Sequence, residues 1–475
     1  MKDSIGTSHD LGFSSIPELK KLLSNRELSP SELMAELTNR IVEIDDCEKG
    51  LNSVLAINQQ IGNESQDFAA PLGAIPLLIK DNIEAIGLPA TAGSLALKNR
   101  PVSQDAPLVK TLKENGALIL GSTNLSEWAN IRSGSSTSGW SAVGGLTANP
   151  WKLGHSAGGS SSGSGSAVAA GLIPAAIGTE TDGSIVCPAS LNGVVGIKPT
   201  VGKISTDRIV PISFSQDSPG PIARNVHDAL IVLETLTGES NLVTASKDES
   251  KLRVGVVREW LTSDQATNDI FENQLTELTK SGIELFEIKI EPFPEEAGSD
   301  ELTVLMHELK FTMDAYLAKR HGQGAKSLAD VIAFNLENSE YELKYFGQEY
   351  FELAQATDGL SEKYHEARSR NLGWAKNKVL DPALSQVDVL IGIPYGPAWK
   401  SDLINGDDFE SASWMTHAPA ITGYPIASLP MGFVSGLPVG LGVIAKANEE
   451  DKLAKALGQF ERVLGFKNLI PTFIG

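Results

Sequence analysis

Apolar side chains recur along this chain with two periods, and stretches of the two alternate. Leu33, Leu37, Ile41 and Ile44 return at helical spacing. The tetrads Ser15-Ile16-Pro17-Glu18 and Ser29-Pro30-Ser31-Glu32 both fit a capping box with proline early in the first turn. Two N-terminal helices are predicted, the second laying one apolar face on a core. Residues 72–82, LGAIPLLIKDN, differ. Ile75, Leu77, Leu78 and Ile79 form a short run with little polar alternation, as in a strand buried on both faces. Residues 108–124 read helix, glycine stop, strand. Residues 163–171 are small and suit a tightly packed helix, and IPAAIGTET continues as a strand. KLRVGVVRE followed by 269–290 reads strand, helix, strand. PIASLPMGF, VGLGVIAKA and EEDKLAKALGQFERVLG close the chain in the same style. Between about 300 and 380 the texture becomes charged, helical and aromatic, which predicts a helical layer inserted before the last strands. Alternating helices and apolar strands imply an α/β architecture.

Composition narrows the class. The chain has 475 residues, is 41% hydrophobic and carries a formal net charge of −20. That length supports a sizeable core. The acidic balance argues against nucleic acid or an anionic membrane as primary partner. The two cysteines, Cys47 and Cys187, stand far apart without metal-ligand spacing, so neither a disulfide framework nor a zinc site is expected. The first residues, MKDSIGTSHDLGFSS, lack an apolar leader core, and no run of about 18 apolar residues appears. A soluble cytoplasmic protein without a metal or other cofactor is expected.

The densest chemistry lies in 154–171, GHSAGGSSSGSGSAVAAG. Gly154-His155-Ser156-Ala157-Gly158 spells a nucleophile elbow, but an elbow serine sits between strand and helix. The preceding GGLTANPWKL, with Thr147, Asn149 and Pro150, does not make a buried strand, so Ser156 receives no role. No lysine follows these glycines, which excludes a Walker loop, and Val168 occupies the third glycine position of a dinucleotide fingerprint. Downstream, GTETDGSIVCPAS places a polar turn after an apolar strand. Gly183 lets the backbone turn without a Cβ clash, and successive N–H groups there can form an anion-binding nest. A serine at its end, Ser184, would stand beside those donors, as acyl transfer requires. None of the seven histidines has a recognisable partner pattern, and His155 beside the loop reads as structural. Lys80 ends the run IPLLIK. Two readings stand open for it: a strand-end lysine with its head in water, or a desolvated neutral amine able to accept a proton.

These stretches together resemble the amidase signature family. The resemblance rests on IPLLIKDNI, GGSSSGSGSAVAAG, GTETDGSIVCPASLNGVVGIKPT, GSTNLSEWAN, QDSPGPIARNVHDA and ITGYPIASLPMG, and runs from about residue 15 to 465. It implies Ser184 as nucleophile and Ser160, after a cis peptide, as proton relay. Lys80 is implied as base, with the amides of Thr181, Asp182, Gly183 and Ser184 as oxyanion hole. Ser161 and Ser162 would shape the loop and support the lysine. Within the family, TNLSEWAN, VPISFSQDSPGP and GPAWKSDLINGDD are most similar to the bacterial peptide amidase branch, which implies a small-molecule or peptide carboxamide substrate. Many members carry arginine two residues after the nucleophile, whereas this chain has Val186.

The fold implied is a large mixed, twisted β-sheet covered by helices on both faces. Its segments would be N-terminal helices (1–65), the signature core (66–240), an α/β and helical cap region (241–390) and a C-terminal return to the sheet (391–475), in one catalytic domain. Alternative functions are an α/β-hydrolase-type esterase acting through Ser156 and a glutamine-hydrolysing amidotransferase subunit. A purely binding relative has no need of Lys80, Ser160 and Ser184 together. Trp128, Trp140, Trp399 and Trp414 lie near loops that would line a pocket, Asp182 either hydrogen-bonds near that pocket or stabilises its turn, and Cys187 reads as buried and inert. Oligomeric state is not set by the sequence.

Overall fold

The structure, a computed structural model, describes residues 11–61 and 67–471. The segment boundary expected at 65, and the first ten residues of the stretch inspected for a leader, lie outside the described residues. Both N-terminal helices form where the capping boxes predict, Ile16–Ser24 and Pro30–Arg40. Glu18 and Glu32 each accept their own cap's backbone N–H at 2.8 Å while the cap serine accepts in return. Leu19, Leu23, Leu33 and Leu37 are buried in the main core.

Among the described residues thirteen strands form: β1 (Val54–Ile57), β2 (Pro76–Lys80), β3 (Leu118–Thr123), β4 (Trp140–Ser141), β5 (Gly145–Leu146), β6 (Ala175–Glu180), β7 (Val195–Lys198), β8 (Ser218–Ala223), β9 (Arg253–Val256), β10 (Glu284–Glu287), β11 (Val389–Gly392), β12 (Ile426–Val434) and β13 (Leu437–Ile444). β4 and β5 pair with each other. The other eleven make one sheet in the order β1-β3-β2-β6-β8-β7-β12-β13-β11-β9-β10. The sheet is mixed. β3, β2 and β6 run parallel, as do β11, β9 and β10, and antiparallel pairs connect these two groups.

Helices cover both faces, and the period of two along β11 shows it. Val389 and Ile391 pack with Phe271, Leu278, Leu453 and Leu457 from helices Gln265–Lys280 and Glu450–Leu464. Leu390 points the other way, into a cluster with Trp260, Trp374 and Val379. The aromatic, charged stretch forms the predicted helical layer, with helices Ala297–Lys319, Leu328–Glu337, Glu349–Gln355 and Glu362–Trp374. Among the described residues, no helix is long and apolar enough to cross a membrane.

One strand contradicts local sequence rules. β8 carries Pro219 and Pro221 inside the sheet, where proline removes ladder donors. Its ladder with β6 spans six pairs, but the one with β7 spans only Val195↔Ala223 and Gly196↔Ile222.

Candidate active site

β2 and β6 are parallel neighbours, so their C-terminal ends emerge at the same edge. Lys80 closes β2, Thr179 and Glu180 close β6, and the turn 181–184 follows directly. The serine-rich segment threads between them, and Ser162–Ala169 forms the predicted small-residue helix, buried at every position.

Lys80 is wholly buried. Its Nζ lies 2.7 Å from Ser160 Oγ, 2.9 Å from Thr179 Oγ1 and 3.1 Å from the Thr179 carbonyl oxygen. Asn82 Nδ2 donates to the same Thr179 hydroxyl at 3.0 Å, which fixes it. Burial brings the lysine pKa down to about 7, against the pull of Asp217 and Glu180. A neutral amine keeps two N–H donors and one lone pair. The two Thr179 oxygens can take the donors, which leaves the lone pair for the Ser160 hydroxyl. The reading of Lys80 as a head in water is therefore excluded. The peptide bond Gly159–Ser160 is cis.

Ser184 is half-buried and lines the same cavity as Ser160. Among the described residues its hydroxyl has no hydrogen-bond partner, so the lysine–serine link is formed while the second serine stands open to the cavity. The backbone N–H groups of Asp182, Gly183 and Ser184 likewise donate to no acceptor among the described residues. The turn is pinned from outside. Thr181 Oγ1 donates to Asp217 at 2.6 Å, and Glu180 Oε2 accepts from the N–H groups of Ile185 and Val186 at 2.6 and 2.9 Å. Gly183 has φ +72°, and a Cβ there would meet the Tyr395 hydroxyl, so any other residue is strained at this position.

The supporting serines separate in role. Ser161 Oγ donates to the Thr179 carbonyl at 3.1 Å and accepts from its N–H at 3.2 Å, bracing the strand end beneath Lys80. Ser162 Oγ donates to the Gly158 carbonyl, which closes its own loop without touching the lysine. Ser156 is 1% exposed and its Oγ accepts from the Gly158 N–H at 3.1 Å. It sits in an isolated bridge with Ala148, not in a strand–helix elbow, which removes the basis for an elbow-type esterase.

The cavity holds about 350 Å³. Ala129, Ile131, Ile212, Leu302, Leu305, Tyr350 and Phe409 give it apolar walls. None of the four tryptophans named above is part of this lining. Trp399 instead packs edge-on against Phe409, which lines it. Cys187 contributes to the floor, where burial pushes its thiol far up and out of reactive range.

Sequence reasoning missed one feature of the wall. His417 Nδ1 lies 2.6 Å from Asp182 Oδ2 and 3.0 Å from Glu301 Oε2. Burial opposes charge on this imidazole, but the two carboxylates outweigh it and hold its pKa well above the ordinary value. The ligating atoms of these three residues all lie within 4.8 Å of one another. The imidazole Nδ1 already faces both carboxylates, as an imidazolium between anions. No sequence signal could have found it, because the partners come from a turn, the helix Ala297–Lys319 and the helix His417–Thr422.

Known proteins match over nearly the whole length. The Amidase family model matches residues 38–454. The structure is similar to that of native peptide amidase from Stenotrophomonas maltophilia (38% identity, TM-score 0.90, 97% of this chain and 99% of that one). It is also similar to the peptide amidase PAM bound to the competitive inhibitor chymostatin (39% identity, TM-score 0.88, 94% and 97%). A probable amidase of Arabidopsis thaliana is 35% identical over 93% of this chain and 87% of its own length. A glutamyl-tRNA(Gln) amidotransferase subunit of Prochlorococcus marinus is 31% identical over 94% and 96%. Agreement of this extent, in sequence and in architecture, covers the sheet, the lysine strand and the serine-rich segment alike: the chain belongs to the amidase signature family and is an amide-hydrolysing enzyme.

Proposed function

We propose that the chain cleaves carboxamides of peptides or small peptide-like molecules through Lys80, Ser160 and Ser184. The observation that carries this reading is the 2.7 Å contact between the buried amine of Lys80 and the hydroxyl of Ser160, at the wall of the cavity that Ser184 also lines.

The proton path follows from the geometry. Ser184 Oγ attacks the carbonyl carbon and passes its proton to Ser160 Oγ, which passes its own to neutral Lys80. The oxyanion meets the N–H groups of 181–184, where loss of one such donor typically costs about 3–4 kcal/mol of transition-state stabilisation. The proton then returns through Ser160 to the leaving nitrogen, the C–N bond breaks and ammonia or an amine departs. Water repeats the relay on the acyl-enzyme, so that Ser184 regains its proton and the acid is released.

The substrate class rests on two supports. Peptide amidases are similar over more than nine-tenths of both chains, one of them bound to chymostatin. The cavity walls are apolar, which suits side chains flanking an amide. The amidotransferase reading has its own support in the curated relative. The lining argues against it: Asp182 and Glu301 are acidic, and the imidazolium of His417 already faces both of them, so among the described residues no lining cation is left over for the carboxylate of free glutamine. Ammonia release from a panel of peptide carboxamides, glutamine, aryl amides and fatty amides tests the choice. Peptide carboxamides as best substrates are expected, and glutamine as sole good substrate overturns this reading. Labelling by a phosphonyl fluoride, followed by peptide mass analysis, is expected at Ser184, and labelling elsewhere removes Ser184 as nucleophile.

A further inference from the structure

Side chains pin the 181–184 turn at its start, in its middle and beyond its end, with Gln216 Nε2 also reaching the Thr181 carbonyl at 3.5 Å. Asp217 holds Thr181 at its start, Glu180 holds the N–H groups of Ile185 and Val186 beyond its end, and the Asp182 carboxylate ties its middle. That middle carries the free N–H groups. We propose that His417, braced by Glu301, is a positioning residue that clamps Asp182 and so aims the backbone donors of 182–184 at the reacting carbonyl. This rests on the reading of the turn as an oxyanion hole.

The clamp is built as a chain from distant elements. His417 Nδ1 faces Asp182 Oδ2 and Glu301 Oε2, at 2.6 and 3.0 Å. Glu301 Oε1 in turn accepts from Gln216 Nε2 at 2.8 Å. The Phe293 ring packs at a tilt against the imidazole, 5.1 Å between centroids. Thr416 and Lys198 also favour the ionised Asp182 carboxylate, Glu180 opposes it, and Arg368 acts on Glu301. A side chain and backbone N–H of one residue share a Cα, so holding the Asp182 carboxylate restricts the rotation of its own peptide and of the next. Gly183, the most permissive residue of the turn, sits immediately after the clamp, where backbone freedom is greatest. Removing the imidazolium leaves two carboxylates facing each other across a partly closed wall. Asp182 must then turn away or take up a proton, and in either case the middle of the turn loses its pin.

Three variants test this with two ligands. His417→Ala removes the clamp, His417→Asn keeps a donor near the Nδ1 position without charge, and Glu301→Gln removes the brace's charge. A peptide aldehyde, whose adduct with a serine carries an oxyanion, reads the aim of the donors, and the peptide acid product reads ground-state binding. His417→Ala is expected to lower kcat about 100-fold with KM changed less than about threefold. Its aldehyde affinity falls in parallel while its affinity for the acid is kept, and His417→Asn recovers part of both losses. In Glu301→Gln the imidazole loses a neighbouring negative charge and gives up its proton more readily. The alkaline fall in kcat therefore moves to lower pH, while the acid limb stays. Unchanged kcat and aldehyde affinity in His417→Ala overturn the proposal, as does a change confined to KM, which would make His417 a substrate contact. If His417→Ala does not fold, His417→Asn and Glu301→Gln carry the same readouts. Failure of the underlying reading is distinct: the unmodified enzyme would then not bind the aldehyde, or the phosphonyl fluoride would miss Ser184.

Discussion

Lys80 closes β2 and Lys198 closes β7, each after an apolar run and each wholly buried. Burial lowers both, to about 7 and about 8. In sequence the two settings, LLIKDN and VGIKPT, look alike. Their neighbours differ. Lys80 Nζ meets two hydroxyls and a carbonyl, with carboxylates acting only from a distance. Lys198 Nζ donates to the Tyr424 carbonyl at 2.6 Å and feels Glu180, Asp182 and Glu450 around it. One buried amine stands against the hydroxyl with which, in the proposed relay, it exchanges a proton. The other sits among carboxylates, two of them holding the 181–184 turn, which favour its charged form against burial. Desolvation alone does not make a base; what matters is whether a relay group or an anion stands next to it.

The sharpest way to break this contrast is a matched pair of substitutions. Lys80→Met is expected to lower kcat by about 10³- to 10⁴-fold while the urea unfolding midpoint shifts little. Lys198→Met is expected to retain activity within about tenfold but to lose about 3 kcal/mol of stability, because it leaves buried carboxylates without their counter-charge. Equal activity losses in the two variants would erase the distinction.

A second test uses pH. In the proposed relay Lys80 accepts a proton when neutral, so activity is expected to rise with pH through about 7, ahead of the alkaline fall set by His417. Protonation below that value removes the acceptor, and kcat/KM falls by about tenfold per unit. A profile flat from about pH 5 to about 9 would remove the lysine from the proton path.

Glu180→Gln touches both lysines. Its carboxylate raises the pKa of each, so its neutralisation is expected to move the acid limb of the rate profile to lower pH, by less than about one unit. An unmoved limb would show that Glu180 serves only to accept the N–H groups of Ile185 and Val186.

The smallest effect is expected from the serines. Ser161→Ala removes two hydrogen bonds to Thr179 beneath Lys80, and about 1 kcal/mol of stability with them. Ser162→Ala loses a bond internal to its loop and is expected to leave the acid limb untouched. Thermal unfolding and rate profiles of the pair separate support of the lysine from shaping of the loop.

Local physics makes much of this molecule legible in advance. The capping boxes at Ser15 and Ser29 depend on neighbours three residues apart, so sequence alone contains them. The run ending at Lys80 shows its burial because a strand covered on both faces needs no polar alternation. β8 stays hidden because Pro219 and Pro221 oppose a strand locally, and only a short ladder on the β7 side tolerates them. The Asp182–His417–Glu301 set stays hidden for a different reason: no spacing relates a turn to two helices more than a hundred residues away. Lys80, Ser160 and Ser184 emerge together only through resemblance, since the residues alone leave Lys80 open.

The hairpin formed by β12 and β13 holds the last two strands in chain order yet stands in the interior of the sheet, between β7 on one flank and β11 on the other. Until residue 444 has emerged, strands 54–223 and strands 253–392 have no common seam. Late closure of this kind favours slow assembly, since distant segments must meet before their contacts stabilise anything. A chain that stops short therefore ends as two unjoined sheet halves with raw edges, a natural target for chaperones and proteases.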